Sequence, residues 1–193
     1  MIIYPNIPSE IQQYIYSLYF CFMISYARLT PDDASLLSDM GGVSLIESHG
    51  HSATPETMQS YVNRSFSIDA CRAELEENNN IFTAVYYHQQ PAGYSKIICN
   101  VSHPAVHLQP VTKMERLYLL KEFYGLQLGQ GLFREAVKFS KSAGDHGMWL
   151  NVWKENDRAL RFYKRQGFVI VGESEFVLTA THANPNWVML LTY

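Results

Sequence analysis

Ile24 and Tyr26, with Arg28 next in phase, recur at a period of two, which predicts a strand from about Met23. The period then lengthens. Thr30 has the character of a helix N-cap, with Pro31 at the first helical position and Asp33 placed to close a capping box. Leu36, Leu37 and Met40 carry that helix to about Ile46, where ESHGHS breaks it. Thr54 and Pro55 repeat the opening for a second helix over TPETMQSYV, and Ser67 caps a third over SIDACRAELEEN. In IFTAVYYHQQPAGYSKIICN two β-branched and aromatic runs flank the turn-forming HQQP, the pattern of a β-hairpin. VSHPAVHLQPVT is a polar, proline-punctuated loop, MERLYLL a strand, and GQGLFREAVKFSKSAG a helix with Leu132, Phe133, Ala136, Val137 and Ser140 on one face. MWLNVW is another strand, and NDRALRFYKRQGF a helix with Asn156 as N-cap and Gly167 as its terminating glycine. FVIVG and WVMLLTY complete the strands. Helices lying between strands, after a helical opening and a central hairpin, give an α/β class with a mixed sheet.

Composition narrows what such a domain could do. The chain has 193 residues, 47% of them hydrophobic, enough to bury one sizeable core. A net charge of -3 without a basic block makes nucleic acid an unexpected partner. Cys21, Cys71 and Cys99 form no CxxC pair, and an odd number suits neither a disulfide framework nor a zinc site. The apolar run from Tyr14 to Ile24 is too short to span a bilayer and lacks a basic residue ahead of it. A cytoplasmic protein without a membrane partner is therefore expected. His49 and His51 are one residue apart, but no third ligand has matching spacing, so no metal is expected.

The chemistry centres on ERLYLLKEFYGLQLGQGLFREAV, a strand, a glycine turn and a helix. Glycine at a helix start costs about 1 kcal/mol relative to alanine, so Gly125, Gly129 and Gly131 call for a reason. One is a tight turn with close helix-strand packing. The other is an anion site, since glycines admit a ligand to the main chain and the first helical turn leaves N-H groups unpaired. Neither GxGxxG nor a P-loop is present.

The next forty residues add a more specific signal. A strand followed by NDRALRFYKRQGF resembles the second signature of the GNAT acetyltransferase superfamily, with Asn156, Ala159, Leu160, Tyr163, Gly167 and Phe168 at its fixed positions. The preceding turn is similar to the family's Gln/Arg-x-x-Gly-x-Gly/Ala. It departs from that pattern at Tyr124, where Gln or Arg is usual, and at Gln127, where the first glycine is usual. A side chain at Gln127 requires that residue to keep a negative φ. The likeness covers roughly Met23 to Val171, and PxGY with ERLYLLKEF looks like the PaiA-like spermidine/spermine acetyltransferases. Residues 1–22 have no counterpart. They are either a true extension of a domain spanning 23–193, or residues ahead of a start at Met23.

The resemblance implies a GNAT fold, a mixed, mostly antiparallel sheet splayed around an acetyl-CoA site and flanked by helices. It implies transfer of an acetyl group from acetyl-CoA, as co-substrate, to a small-molecule amine such as a polyamine, by direct transfer in a ternary complex. Alternatives are a protein or peptide amine as acceptor, or a non-catalytic acyl-CoA sensor. A homodimer paired through sheet edges and the C-terminal strand WVMLLTY is also implied. An alkyl amine, with a pKa of about 10.4, must lose a proton before attack, the carbonyl must be polarised, and the thiolate must be protonated. For the first role Glu115 is the candidate, or else it is the partner of Arg116 or a neighbouring lysine. For the last, the family's tyrosine is matched by Tyr163. A main-chain N-H at Leu119 or Leu120, beside Leu117, would meet the carbonyl oxygen, often at a strand bulge. Tyr124, Gly125, Leu126, Gln127, Leu128, Gly129, Gln130 and Gly131 would hold the pyrophosphate. Asn156 would cap its helix, contact the pantetheine arm, or do both. Glu47 and His49 fall where the family builds its acceptor pocket.

Overall fold

The structure, a computed structural model, describes residues 23–179 and 182–193. The proposed extension 1–22, Cys21 and all but the end of the apolar run from Tyr14 lie outside them. The elements are β1 (Ile24–Arg28), α1 (Ala34–His49), α2 (Pro55–Ser65), α3 (Ile68–Glu76), β2 (Asn80–Tyr87), β3 (Gln90–Ile98) and β4 (Thr112–Leu119). After them come α4 (Leu128–Ser142), β5 (Gly147–Trp153), α5 (Asp157–Arg165), β6 (Val169–Thr179) and β7 (His182–Thr192). One seven-stranded sheet has the order β1-β2-β3-β4-β5-β7-β6. Every neighbouring pair is antiparallel except β4 with β5.

Local chemistry accounts for most boundaries. The Thr30 capping box is formed, its backbone N-H donating to Asp33 Oδ2 at 2.8 Å, although the turn it opens is 3-10 before α1 begins. The hydroxyls of Thr54 and Ser67 accept from Thr57 and Ala70 at the heads of α2 and α3. His88 and Gln89, at φ 48° and 66°, make the two-residue turn of the β2-β3 hairpin, a pair of left-handed residues matched to the strand twist.

Two boundaries differ from the sequence expectation. α1 continues past Ile46 through Glu47 and Ser48 to His49, with the Gly50 N-H donating to the Ile46 carbonyl as the last bond of its ladder. The last two strands are much longer than FVIVG and WVMLLTY, forming a hairpin of 11 residues a side. β7 is moreover bonded on both sides, to β5 and to β6, so the C-terminal strand is interior and cannot pair with a second copy. The sheet's edges are β1 and β6.

Each sheet face buries its own core. Helices α1 to α3 cover Phe82, Ala84 and Tyr94 with Leu37, Met40, Met58 and Phe66. On the other face α4 and α5 place Phe133, Ala136, Leu160 and Tyr163 on Met114, Met148, Leu150 and Met189. Glu74 of α3 binds Arg116 of β4 through two N-H donors at 2.6 and 2.9 Å and Lys96 of β3 at 3.1 Å. This cluster ties the helical cover to β3 and β4, the second of which borders the site.

Candidate active site

β4 pairs with β5 only from Thr112↔Met148 to Met114↔Leu150, and beyond Met114 the strands part. The register between β3 and β4 slips at the same level. Lys96 faces Arg116 and Ile97 faces Met114, leaving Glu115 as the extra residue of a bulge that bends β4 away from β5. The gap opens a cleft of about 1100 Å³ lined from both faces of the sheet.

Strand geometry decides which amides face that gap. Leu120 N-H donates to the Ala92 carbonyl at 2.9 Å, and in an antiparallel pair the bonded positions alternate. The N-H groups of Leu117 and Leu119 therefore point away from β3, to the side that β5 has vacated. Leu120, the alternative carbonyl-binding candidate, is committed to the sheet, and its side chain packs in the core rather than in the cleft.

The turn after β4 runs through a 3-10 turn at Lys121–Phe123 into α4. Gly125 sits at φ 86° with open space where a Cβ would be, so its glycine is needed for backbone conformation alone. Gln127 is also left-handed, at φ 59° and ψ 12°, contrary to the negative φ expected for it. Its carbonyl accepts Gln130 N-H at 3.1 Å and Gly131 N-H at 3.3 Å, and the left-handed conformation carries a strain cost on the order of 1 kcal/mol. The helix thus keeps Leu128 and Gly129 as its leading orphan amides. Gly129 meets nothing of the chain closer than Leu119 Cδ1 at 3.5 Å, so its missing side chain leaves room for a ligand. Gly131 serves a different purpose, because a Cβ there would overlap the phenol oxygen of Tyr26 on β1. Gly131 and Leu126 do not line the cleft, whereas Tyr124, Gly125, Gln127, Leu128, Gly129 and Gln130 do.

Four further groups line it from α5 and β4. Asn156 Oδ1 accepts Ala159 N-H at 3.0 Å, capping α5 while facing the cleft. Tyr163 is 9% exposed, and burial, aided by the neighbouring Tyr118, pushes its phenol well above the ordinary range, so it carries a proton to donate at neutral pH. Glu115 is ion-paired with Lys113, the neighbouring-lysine alternative to free carboxylate. Arg116 is taken by Glu74 instead.

The acceptor-side candidates Glu47 and His49 line the same cleft. A carboxylate oxygen of Glu47 accepts Lys121 N-H at 2.8 Å, bracing α1 against the end of β4. His49 Nδ1 lies 2.7 Å from Ser48 Oγ, whose single proton is given to the Ser44 carbonyl. With the Ser48 proton on the Ser44 carbonyl, the tautomer that satisfies both groups carries its proton on Nδ1 and leaves Nε2 as the acceptor nitrogen. Burial, with His51 adding repulsion, pushes the His49 pKa down to about 4, so the ring is neutral at physiological pH.

Several groups went unseen in the sequence. The Arg158 guanidinium lies 3.4 Å over the Tyr124 ring and lines the cleft, bringing a cation to the turn position that lacks Gln or Arg. It occupies a variable place in the helix motif, and the missing cation at Tyr124 was the available signal. Asn184 and Asn186 of β7, Trp153 of β5, Phe176 of β6 and Tyr61 of α2 also line the cleft. The two asparagines sit at a spacing of two in ANPN, a strand alternation hidden by its turn-like composition. Among the described residues no group of three His, Cys, Asp or Glu could hold a metal ion, and no helix is long and apolar enough to cross a membrane.

Comparisons with known proteins fit this geometry. A sequence model described as the Acetyltransferase (GNAT) family matches residues 46–168. The chain is 26% identical over 132 residues to an uncharacterized N-acetyltransferase of Lactobacillus delbrueckii subsp. lactis, spanning 68% of this chain and 76% of that one. In fold it is similar to a PaiA N-acetyltransferase of Thermoplasma acidophilum solved in complex with coenzyme A. That match has a TM-score of 0.71 and 19% identity, over 88% of this chain and 99% of the other. It is also similar to the ribosomal-protein-S18-alanine N-acetyltransferase of Escherichia coli, with a TM-score of 0.63 and 13% identity, over 88% and 94% of the two chains.

Proposed function

The chain belongs to the GNAT acetyltransferase family, as an acetyl-CoA-dependent N-acetyltransferase, and we propose that its acceptor is the primary amine of a small molecule. The observation that carries this reading is the closure of the cleft on the acceptor side. Phe176 of the long β6-β7 hairpin meets Tyr61 of α2 edge to face at 5.8 Å, which roofs a chamber suited to a compact amine. A protein N-terminus or lysine would enter more readily through an open groove; the Escherichia coli neighbour is described as acting on an alanine of ribosomal protein S18.

The residues present fit coenzyme A. The Leu128 and Gly129 amides and the bare Gly129 position would receive the pyrophosphate, Arg158 would add a cation, and Asn156 Nδ2 would meet the pantetheine arm. The N-H groups of Leu117 and Leu119 would hold the carbonyl oxygen and stabilise the negative charge it gains during attack. The ammonium proton passes to Glu115, directly or through water, and the free amine forms the new C-N bond. Collapse of the tetrahedral intermediate breaks the C-S bond, and Tyr163 gives its phenolic proton to the departing sulfur. The proton released by the amine restores the tyrosine through solvent. No acyl-enzyme forms. His49 Nε2, neutral and unprotonated, accepts a hydrogen bond from the attacking nitrogen and aims its lone pair.

The test is calorimetric titration with acetyl-CoA followed by thiol release on a panel of spermidine, aromatic monoamines and short peptides. Binding with release on small amines is expected. Release only on peptides would transfer the assignment to the protein-acceptor reading, and binding without release on any amine would identify a non-catalytic sensor.

A further inference from the structure

The chamber beneath α1, α2 and the β6-β7 hairpin contains a polar group that the transfer chemistry leaves unused. Asn184, Asn186 and Val188 alternate onto one face of β7, and Asn186 lies between Trp153 of β5 and Ser174 of β6 in the strand register. Asn186 is 6% exposed and lines the cleft, yet its Oδ1 is buried with no hydrogen-bond partner. A buried amide oxygen left unpaired has lost its hydration without replacement, a cost that a ligand donor would remove.

The surroundings limit what that ligand can be. Its walls are flat rings: His51 lies 5.1 Å from Trp153, Tyr118 lies 5.8 Å from His49, and Tyr61 meets Phe176. Of the four carboxylates that line the cleft, Glu47 is engaged by the Lys121 amide, Glu115 is paired with Lys113 and serves the one ammonium that reacts, and Glu155 and Asp157 belong to the opening of α5. Flat apolar walls with neutral acceptors at Asn186 Oδ1 and His49 Nε2 favour one charge and one planar body over a chain of ammonium groups. Resting on the small-amine reading above, we infer that the acceptor is a monoamine whose flat apolar body carries one further N-H donor, and that this donor bonds to Asn186 Oδ1.

Three probes test this by thiol release: tryptamine, whose indole N-H supplies the donor; 1-methyltryptamine, in which a methyl replaces it; and spermidine. Tryptamine is expected to exceed spermidine in kcat/KM, and the methyl group to lower kcat/KM by about 10- to 100-fold, as a site built for a hydrogen bond rejects a ligand without one. Asn186→Ala should bring tryptamine down to the level of 1-methyltryptamine while leaving the latter within about twofold, a pairing signature that a merely structural loss would not produce. If that variant does not fold, the two indoles on the wild-type protein still decide the matter. Equal rates on the two indoles, or preference for spermidine, would overturn the inference and leave the acetyltransferase reading intact. Binding of acetyl-CoA without release on these three amines or on peptides would overturn both.

Discussion

Tyr163 and His49 are both buried in the cleft, and burial gives each a different proton state to work with. Tyr163 keeps its proton because a phenolate there would be desolvated. Replacing it with phenylalanine removes that proton and little volume, so kcat should fall by about 10²-fold while acetyl-CoA affinity stays within twofold, read by thiol release and calorimetry. An unchanged kcat would refute the donor role. His49 stays neutral because an imidazolium would be desolvated and repelled by His51. Its folded pKa, about 4, lies below the unfolded 6.5, so as pH falls from 6.5 toward 4 the unfolded chain gains a proton that the folded chain refuses. Stability should therefore decline across that window by up to about 3 kcal/mol on this account, and His49→Gln should flatten the decline in urea midpoints. Parallel profiles for the two proteins would show that the ring is not buried as described. The helix cap at Asn156 and the half of the cleft that holds Tyr163 were legible in the sequence because both residues stand at fixed places in a dense motif. The left-handed Gln127 was not, since a glutamine carries no signal for a positive φ.

At the scale of elements, the proposed coenzyme A site joins the glycine turn and α5 into one binding device. Tyr124 removes a cation from the turn, and Arg158, stacked on that ring, supplies one from the neighbouring helix. Arg158→Ala should raise the acetyl-CoA Kd by about 5- to 10-fold at low salt, with a smaller effect at 0.5 M salt where screening weakens the guanidinium anyway. Arg158→Lys should recover part of the loss. A Kd that does not move would place the arginine outside the phosphate path. Element types were readable from caps, periods and turn residues, as Thr54, Ser67 and Gly167 illustrate. The length of the last hairpin depended on pairing with β5 and with itself, which no local window contains.

Over the whole molecule, the Glu74 cluster joins α3 of the helical cover to β3 and to β4, one of the two strands that part. The Lys96 and Arg116 side chains are only 7% and 12% exposed, so losing Glu74 strands two buried cations. Glu74→Ala should cost about 3–5 kcal/mol and lower Tm by about 10 °C in a thermal melt. A shift below about 2 °C would mean that water already solvates the cluster. The α/β class and the succession of strands and helices were visible in hydrophobic periodicity. The partner of Arg116 lies 42 residues away along the chain and was not. The parting of β4 from β5 has a last consequence for turnover. Because the cleft is lined from both faces of the sheet, thioester and amine are proposed to sit together on opposite faces, with the Phe176–Tyr61 contact above the amine side. Both must be bound for transfer, so initial-rate plots should show intersecting lines, and parallel lines would refute the ternary complex.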